Sequence, residues 1–403
     1  MDNPVAVIQY GPRPGILDLG WGHPRPELLP VEQWLEAGQT TLREHAWQAL
    51  TYGAAAGPRP FIEWLTDHLG GCDHGSTQPS EVFVTNGASH GLALVADLLV
   101  RPGDVVLVDS PTYHLAFRTL LDQGAELVGV PTDDQGVHPA MTAELLERLA
   151  RSGRRVPMLY IVPTFANPTG RCLPHERRVE LVDLARRAGL TIVEDDTYRE
   201  MAYDGPAPPS LWSLAERGTV IRLGTFAKTV APGLRLGWIN AEGGFVRRLT
   251  GLGYINSGGG VNHTTALTMA TFGRSGAYQS HVAATGRHYA AQRDALVAGL
   301  RTCAPDLQLS APAGGWFLWA DLPSPITASS LAPVAEAHGV AYVEGRRFFA
   351  DGADGHRAVR LSFSMLPPGE LQEAAARLGL ALETVRQRAP GRPEPAHDPH
   401  RGG

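Results

Sequence analysis

The 403-residue chain has almost no lysine. Lys228 is the single lysine among 35 basic residues, and every other one is arginine. Arginine covers most surface and ion-pair roles of lysine, but its guanidinium stays protonated and cannot act as an amine nucleophile. Keeping one lysine while replacing all others suggests that position 228 needs amine chemistry. An arginine-biased composition that left one lysine by chance accounts for the count equally well. Cysteine is scarce too: Cys72, Cys172 and Cys303 are scattered along the chain. They match neither a disulfide framework nor a metal site, so no metal is expected, and a reducing cytoplasm is the simple reading. No apolar run reaches the roughly 18 residues of a membrane span. The start, MDNPVAVIQYGPRPG, lacks the basic and apolar segments of a signal peptide. Net charge is −6, which leaves no basic footprint for nucleic acid. The 43% apolar and 19% charged content is that of a globular protein with a buried core.

Between about residues 80 and 240, strand-like runs alternate with amphipathic, helix-like stretches. The strands read EVFVTN, DVVLVDS, ELVGVP, PMLYIVP, LTIVEDD and TVIRLGTF. Helical segments lie at 88–100, 113–123, 140–152 and 174–188. This alternation predicts an α/β fold with a large, mostly parallel sheet. Short, continuously apolar strands suit a sheet covered on both faces. Residues 275–302 read as one long helix. After Pro312 the strands GWFLWADL, AYVEG and VRLSFS mix with helices near 327–338 and 368–387, which predicts a smaller α+β domain. The end, APGRPEPAHDPHRGG, is rich in Pro and Gly and reads as a disordered tail. The expected division is an N-terminal arm with part of the small domain (1–45), a large domain (46–300), a small C-terminal domain (301–388) and a tail (389–403).

Three segments carry chemistry. In TNGASHGL, Gly87 permits a tight turn from strand to helix, and the N–H groups of Ala88 and Ser89 then form a phosphate cradle at the positive helix end. A plain strand-to-helix turn explains this segment as well. IVEDDTY ends a strand with Glu194, Asp195 and Asp196, beyond whose carboxyl end ligands bind in open α/β sheets. A carboxylate there can pair with a buried cation; Asp196 could equally cap a helix. GTFAKTVAPGLRLGW sets Thr225 before Lys228 and Arg235 after it. A hydroxyl and a two-pronged guanidinium can share a phosphate, and a partly buried lysine near cations becomes a better nucleophile.

In this order the motifs resemble the fold type I aminotransferases of class I/II, which depend on pyridoxal 5'-phosphate (PLP). Within that family the pattern is most similar to the subgroup of 2-aminoadipate aminotransferases. The resemblance covers roughly residues 15–385. It implies that Lys228 carries the cofactor as a Schiff base and shuttles the proton, and that Asp195 binds the pyridine nitrogen. Tyr198 and Asn167, the latter in PTFANPTG, match the pair on the 3'-oxygen. Tyr113, in DSPTYH, matches the stacking aromatic. Gly87, Ala88, Ser89, Thr225 and Arg235 match the phosphate cup. Tyr52 matches a tyrosine that reaches the phosphate of a neighbouring subunit, which implies a homodimer with shared sites. Arg360, in VRLSFS, matches the clamp on the substrate α-carboxylate, and Gly22 matches a glycine lining the substrate. Tyr52, Tyr113 and Tyr198 could also be ordinary core or interface aromatics, Arg360 a structural ion-pair partner, and NPTG a simple turn.

The implied reaction moves an amino group between an L-amino acid and a 2-oxo acid. Some positions depart from the family pattern. Ala227 and Thr225 stand where serine is common, Glu344-Gly345 where Pro-Gly is common, and GASH replaces the usual phosphate turn. NSGGGVNH is unusually rich in glycine, and no arginine lies between residues 249 and 272. Aspartate aminotransferases bind a side-chain carboxylate with an arginine there, so that recognition mode is not expected. Trp21 and His23, with the glycine loop, are the expected side-chain selectors, and His23 or Arg25 could still meet a dicarboxylate. Elimination, replacement, cyclisation, decarboxylation or oxidation on the same scaffold remain alternatives. A regulator with an amino-terminal DNA-binding module is not expected, because family motifs begin near residue 20.

Overall fold

The computed structural model describes residues 11, 13–73 and 77–388. The predicted tail at 389–403 lies outside the described residues. Seven strands form the main sheet: β1 Val82–Thr85, β2 Val105–Val108, β3 Glu126–Gly129, β4 Met158–Ile161, β5 Thr191–Asp195, β6 Val220–Thr225 and β7 Gly237–Asn240. Their spatial order is β1-β7-β6-β5-β4-β2-β3. Only β7 runs antiparallel, against both β1 and β6. The six strands read from the sequence are all present. The seventh was missed, because Leu-Gly-Trp-Ile-Asn offers only a short apolar run.

The near-continuous apolar strands follow from burial on both faces. Successive side chains point to opposite sides. Val106 and Val108 join one core with Leu92, Ala116 and Phe245. Val105 and Leu107 face the other side, with Leu145, Leu181 and Trp212. Helices Ala88–Leu99, Pro139–Arg151 and His175–Ala188 thus cover the sheet as the sequence periodicity predicts.

The smaller unit is an antiparallel sheet of β8 Gln308–Leu309, β9 Phe317–Asp321, β10 Val343–Glu344 and β11 Ala358–Ser362, in the order β8-β9-β11-β10. Helices Ala328–Ala337 and Pro368–Arg388 pack on its core. Leu17–Asp18 pairs in parallel with Val340–Ala341, so the N-terminal arm is stitched to this unit. The helix Ala277–Cys303 runs between the cores. Tyr278 packs with Phe61 and Trp64 of the larger unit, while Leu296 and Leu300 pack with Leu318 and Leu378 of the smaller.

This topology positions the site. The parallel strands end at one edge of the sheet, and β7, running the other way, begins there. Gly87, Asp109 to Tyr113, Asp195 to Tyr198 and Thr225 to Lys228 therefore follow strands at that edge. Arg235 arrives just ahead of β7 at the same edge.

Candidate active site

Gly87 precedes helix Ala88–Leu99 with φ 92°, a left-handed value that favours glycine. No side chain caps this helix start, so its first N–H groups stay available at the positive end of the dipole. Arg235 faces it, and its Nη2 donates to Asn86 O at 3.0 Å. Arg235 itself adopts φ 46°, unusual for a residue with a side chain. Asn262 holds that turn by donating to Leu234 O at 3.1 Å and to Arg235 O. Thr225 Oγ1 accepts from Ala227 N at 3.1 Å, turning the chain toward Lys228.

Lys228 is half-buried, and its Nζ donates to Gly22 O at 3.0 Å. The amine lies 4.9 Å from the Trp316 ring centre and 5.8 Å from that of Tyr198. Burial, then the Arg360 charge, push its pKa down to about 8, Asp195 opposing and Arg235 adding to the drop. Asp195 is buried, and its Oδ2 accepts from Tyr160 Oη at 2.7 Å. Thr197 Oγ1 donates to the other oxygen. Burial raises the Asp195 pKa, and these hydroxyl donors restrain the rise. Tyr198 is buried and its pKa is raised, by desolvation first, with Asn167 as a hydrogen-bond partner that lowers it. Tyr113 is half-buried, its hydroxyl pushed up to about 12 by burial and then by the Asp195 charge.

Arg360 is 5% exposed. Its Nη1 donates to Asn167 Oδ1 at 3.0 Å and its Nη2 to Gly20 O at 2.6 Å. The buried Nε has no partner, an anomaly for a charged donor. The guanidinium lies 4.2 Å from the Phe317 ring centre and 5.0 Å from that of Phe348. Burial lowers its pKa to about 10, which leaves it charged at neutral pH. The arm carrying Trp21, Gly22 and His23 is fixed by Ser362 N to Leu19 O at 2.7 Å and Ser364 Oγ to His23 O at 2.6 Å. A Cβ on Gly22 would stand 2.6 Å from the Phe317 ring, so only glycine fits. The Trp21 and His23 rings meet edge-on at 5.3 Å. Burial, then the Lys228 charge, lowers the His23 pKa. Arg25 is engaged with Glu27 at 2.9 Å.

The fold thus brings Lys228, Asp195, Tyr198, Tyr113, Asn167, Arg360 and the Trp21–His23 strip to one end of the sheet, beside the Gly87–Arg235 cradle. Tyr52 is different: it is 83% exposed. Its neighbour Gly53 lies against the glycine loop, where a Cβ on Gly259 would come 2.4 Å from Gly53 O. Sequence reasoning missed Tyr160, Thr197, Trp316 and Phe317. Tyr160 left a trace, one hydroxyl inside the apolar run PMLYIVP. Asp196 caps no helix; it is buried and paired with Arg222 at 2.6 Å and Arg199 at 2.5 Å.

A buried carboxylate in need of a cation, a nucleophilic amine and an uncapped helix start facing an arginine fit one group: a phosphorylated pyridine aldehyde. This is the constellation of a fold type I PLP enzyme. The profile of the aminotransferase class I and II family matches residues 14–378. The chain is similar to an aromatic-amino-acid aminotransferase of Thermococcus litoralis, with 33% identity over 92% of this chain and 88% of that protein. It is 32% identical to a 2-aminoadipate transaminase of Thermus thermophilus, covering 94% of this chain and 92% of that one. A crystal structure of a Pyrococcus horikoshii kynurenine aminotransferase, in complex with PMP, KYN as substrates and KYA as products, superposes with TM-score 0.87. That match has 30% identity and covers 92% of this chain and 91% of that one. The chain belongs to the class I and II aminotransferases, and it is a PLP-dependent transaminase.

Proposed function

We propose that the enzyme transfers the amino group of an aromatic or long-chain L-amino acid to a 2-oxo acid in a ping-pong cycle centred on Lys228. One juxtaposition carries the reading: Lys228 Nζ and Arg360 Nη2 hold Gly22 O and Gly20 O, on one short strip of the arm. An amine that can take a proton from Cα and a guanidinium that can hold the α-carboxylate then address adjacent atoms of one substrate. The unpartnered Nε of Arg360 supplies the donor a carboxylate would satisfy.

When bound, PLP supplies an electron-withdrawing ring that lets the substrate lose its α-hydrogen. The residues do the rest. Asp195, its carboxylate fixed by Tyr160 and Thr197, would keep a proton on the ring nitrogen. Tyr198 and Asn167 would hold the ring's 3'-oxygen, and Tyr113 would cover the ring's face. Gly87, Ala88, Ser89, Thr225 and Arg235 would hold the phosphate. Arg360, with Gly22 and Asn167, fixes the carboxylate, which orients Cα. Lys228, the covalent anchor, moves the proton, and its depressed pKa favours the neutral amine that task needs.

Trp21 and His23 offer an aromatic surface to the side chain, and no arginine occurs at 249–272 to demand an acidic one. Two of the relatives are named for aromatic substrates, the Thermococcus litoralis aromatic-amino-acid aminotransferase and the Pyrococcus horikoshii kynurenine aminotransferase, and the Thermus thermophilus 2-aminoadipate transaminase for a long one that carries a carboxylate. The exposed Tyr52, beside the glycine loop, supports a homodimer in which it completes the neighbour's phosphate site. The proposed division falls at 1–45, 46–300 and 301–388; the separate cores support it in outline, with Ala37 packing in the larger unit's core and Leu296 and Leu300 in the smaller one's. A cytoplasmic location fits the scattered free cysteines, and a role in amino acid biosynthesis is part of the same reading. Among the described residues no helix is long and apolar enough to cross a membrane.

The test is a single turnover without acceptor. Aromatic and long-chain L-amino acids should each release one 2-oxo acid per active site and then stop, and adding a 2-oxo acid should restart turnover. Continuous ammonia release, or a product other than the 2-oxo acid, would replace transamination with elimination or another reaction.

A further inference from the structure

Beside the cofactor site, in a pocket whose lining also includes Thr197 and Thr225, side chains of different chemistry converge. His68 and Cys72 lie one turn apart on helix Arg59–Asp73, and Glu200 follows the segment after β5. His68 Nε2 stands 3.0 Å from Glu200 Oε2 and 3.7 Å from Cys72 Sγ. The ligand atoms of all three lie within 4.8 Å of one another.

An Nε2–H donated to Glu200 Oε2 accounts for that pair. One ring nitrogen offers either one hydrogen or one lone pair, not both. With that hydrogen spent on the carboxylate, the Cys72 thiol turned to the same nitrogen at 3.7 Å is not explained by it. A cation at the centre would satisfy all three atoms. Zinc bonds of about 2.0–2.3 Å in a tetrahedron set ligand atoms roughly 3.3–3.7 Å apart, close to the two separations observed. An i, i+4 pair on one helix face is a natural way to present two of them.

The surroundings hold the donors in place. Tyr278 Oη donates to Glu200 Oε1 at 2.7 Å, fixing the carboxylate while Oε2 stays turned toward His68. The His68 ring stacks on Trp64 at 5.4 Å with an 11° tilt and meets Tyr278 edge-on at 5.1 Å. Such outer contacts orient metal ligands in built sites. Cys72 is exposed and His68 and Glu200 half-buried, so an ion has a way in.

We propose that His68, Cys72 and Glu200 form a zinc site, with water in the fourth position. Binding displaces the Cys72 thiol proton, and any proton on His68 Nε2, to solvent. The donor set of thiolate, imidazole and carboxylate selects zinc over magnesium or calcium, which prefer oxygen alone. The ion would pin helix Arg59–Asp73 to the chain just beyond Asp195, tying the outside of the large unit to the strand that serves the cofactor.

The test uses the holoenzyme, freed of metal with a chelator and kept reduced with a phosphine. Zinc is titrated against a chromophoric chelator, in wild type and in Cys72→Ser and Glu200→Gln. In parallel, iodoacetamide labelling of each cysteine is followed by peptide mass spectrometry. The expected result is one zinc per chain in wild type. In both variants affinity should fall by more than about 100-fold, since even outer partners of metal ligands are worth about 10–100-fold. Zinc should also slow alkylation of Cys72 by about tenfold or more, because a coordinated thiolate is a poor nucleophile, while Cys172 and Cys303 react as before. Retained transaminase turnover in Cys72→Ser shows the variant is folded. Zinc binding equal in wild type and variants, or no zinc with unchanged Cys72 labelling, would mean the cluster is only a His–Glu ion pair beside a thiol.

Discussion

Replacing Arg360 with methionine tests the substrate end of the site most sharply. The side chain holds Asn167 and Gly20 and leaves one buried donor unused. Methionine keeps the bulk between Phe317 and Phe348 but deletes the charge. A buried, hydrogen-bonded ion pair loses about 2–5 kcal/mol when one partner is truncated. At about 1.36 kcal/mol per factor of ten, kcat/KM for L-amino acids should fall roughly 30- to 5,000-fold. The loss could also come from the arm, because Gly20 O and Asn167 Oδ1 each lose a donor at a cost of about 1–3 kcal/mol. A comparison substrate separates the two. An arylalkylamine carries the same ring and amine but no α-carboxylate, so its half-reaction should be slow in wild type and little changed by the mutation. Arg360→Lys, which keeps the charge but not the two-pronged geometry, should fall between. Equal losses for the amino acid and the amine would refute the carboxylate role and leave Arg360 as a tether for the arm.

Lys228→Ala should abolish turnover without unfolding the protein, judged by circular dichroism, and borohydride should no longer fix cofactor on the chain; residual wild-type turnover would sink the proton shuttle. Cofactor capture by the apoenzyme should accelerate with rising pH around a midpoint of about 8, because the attacking amine must be neutral; a midpoint near the ordinary value of 10.5 would show that burial and Arg360 do not act on it. Gly87→Ala forces a side chain into φ 92° and places a Cβ 3.1 Å from Arg235 Nη2. It should raise the cofactor dissociation constant by about tenfold or more while kcat at saturating cofactor survives, a backbone strain of about 1–3 kcal/mol being enough. Tyr160→Phe removes a donor that favours ionised Asp195, so the apoenzyme should lose about 1.5–3 kcal/mol in urea at pH 8. That loss should shrink as pH falls and Asp195 takes up its proton; a loss independent of pH would assign Tyr160 to packing alone.

Much of this was written in local patterns. Strands buried on both faces announce themselves as runs such as DVVLVDS, and Lys228, Asp195 and Arg360 sit in short segments whose spacing survives in a linear string. What could not be read depended on distant partners. β7 became a strand because β1 and β6 flank it, not because Gly-Trp-Ile-Asn favours one. Nothing near Asp196 foretold that Arg222 and Arg199 would neutralise it, and nothing near Asp195 foretold Tyr160, 35 residues earlier. His68 and Cys72 are visibly one helical turn apart, but Glu200 lies 132 residues from His68, so the three donors become neighbours only in the folded chain.

The helix Ala277–Cys303 bears on how the molecule comes apart. Its first turns complete the core around Phe61 and Trp64, and its last turns complete the core around Leu318 and Leu378. Tyr289, midway, packs on Trp316 beside the site. Melting either core would strip one end of a single 27-residue rod and leave the other end without support. The two units therefore share one cooperative fate, and heat should erase the catalytic centre in the same transition that dissolves both.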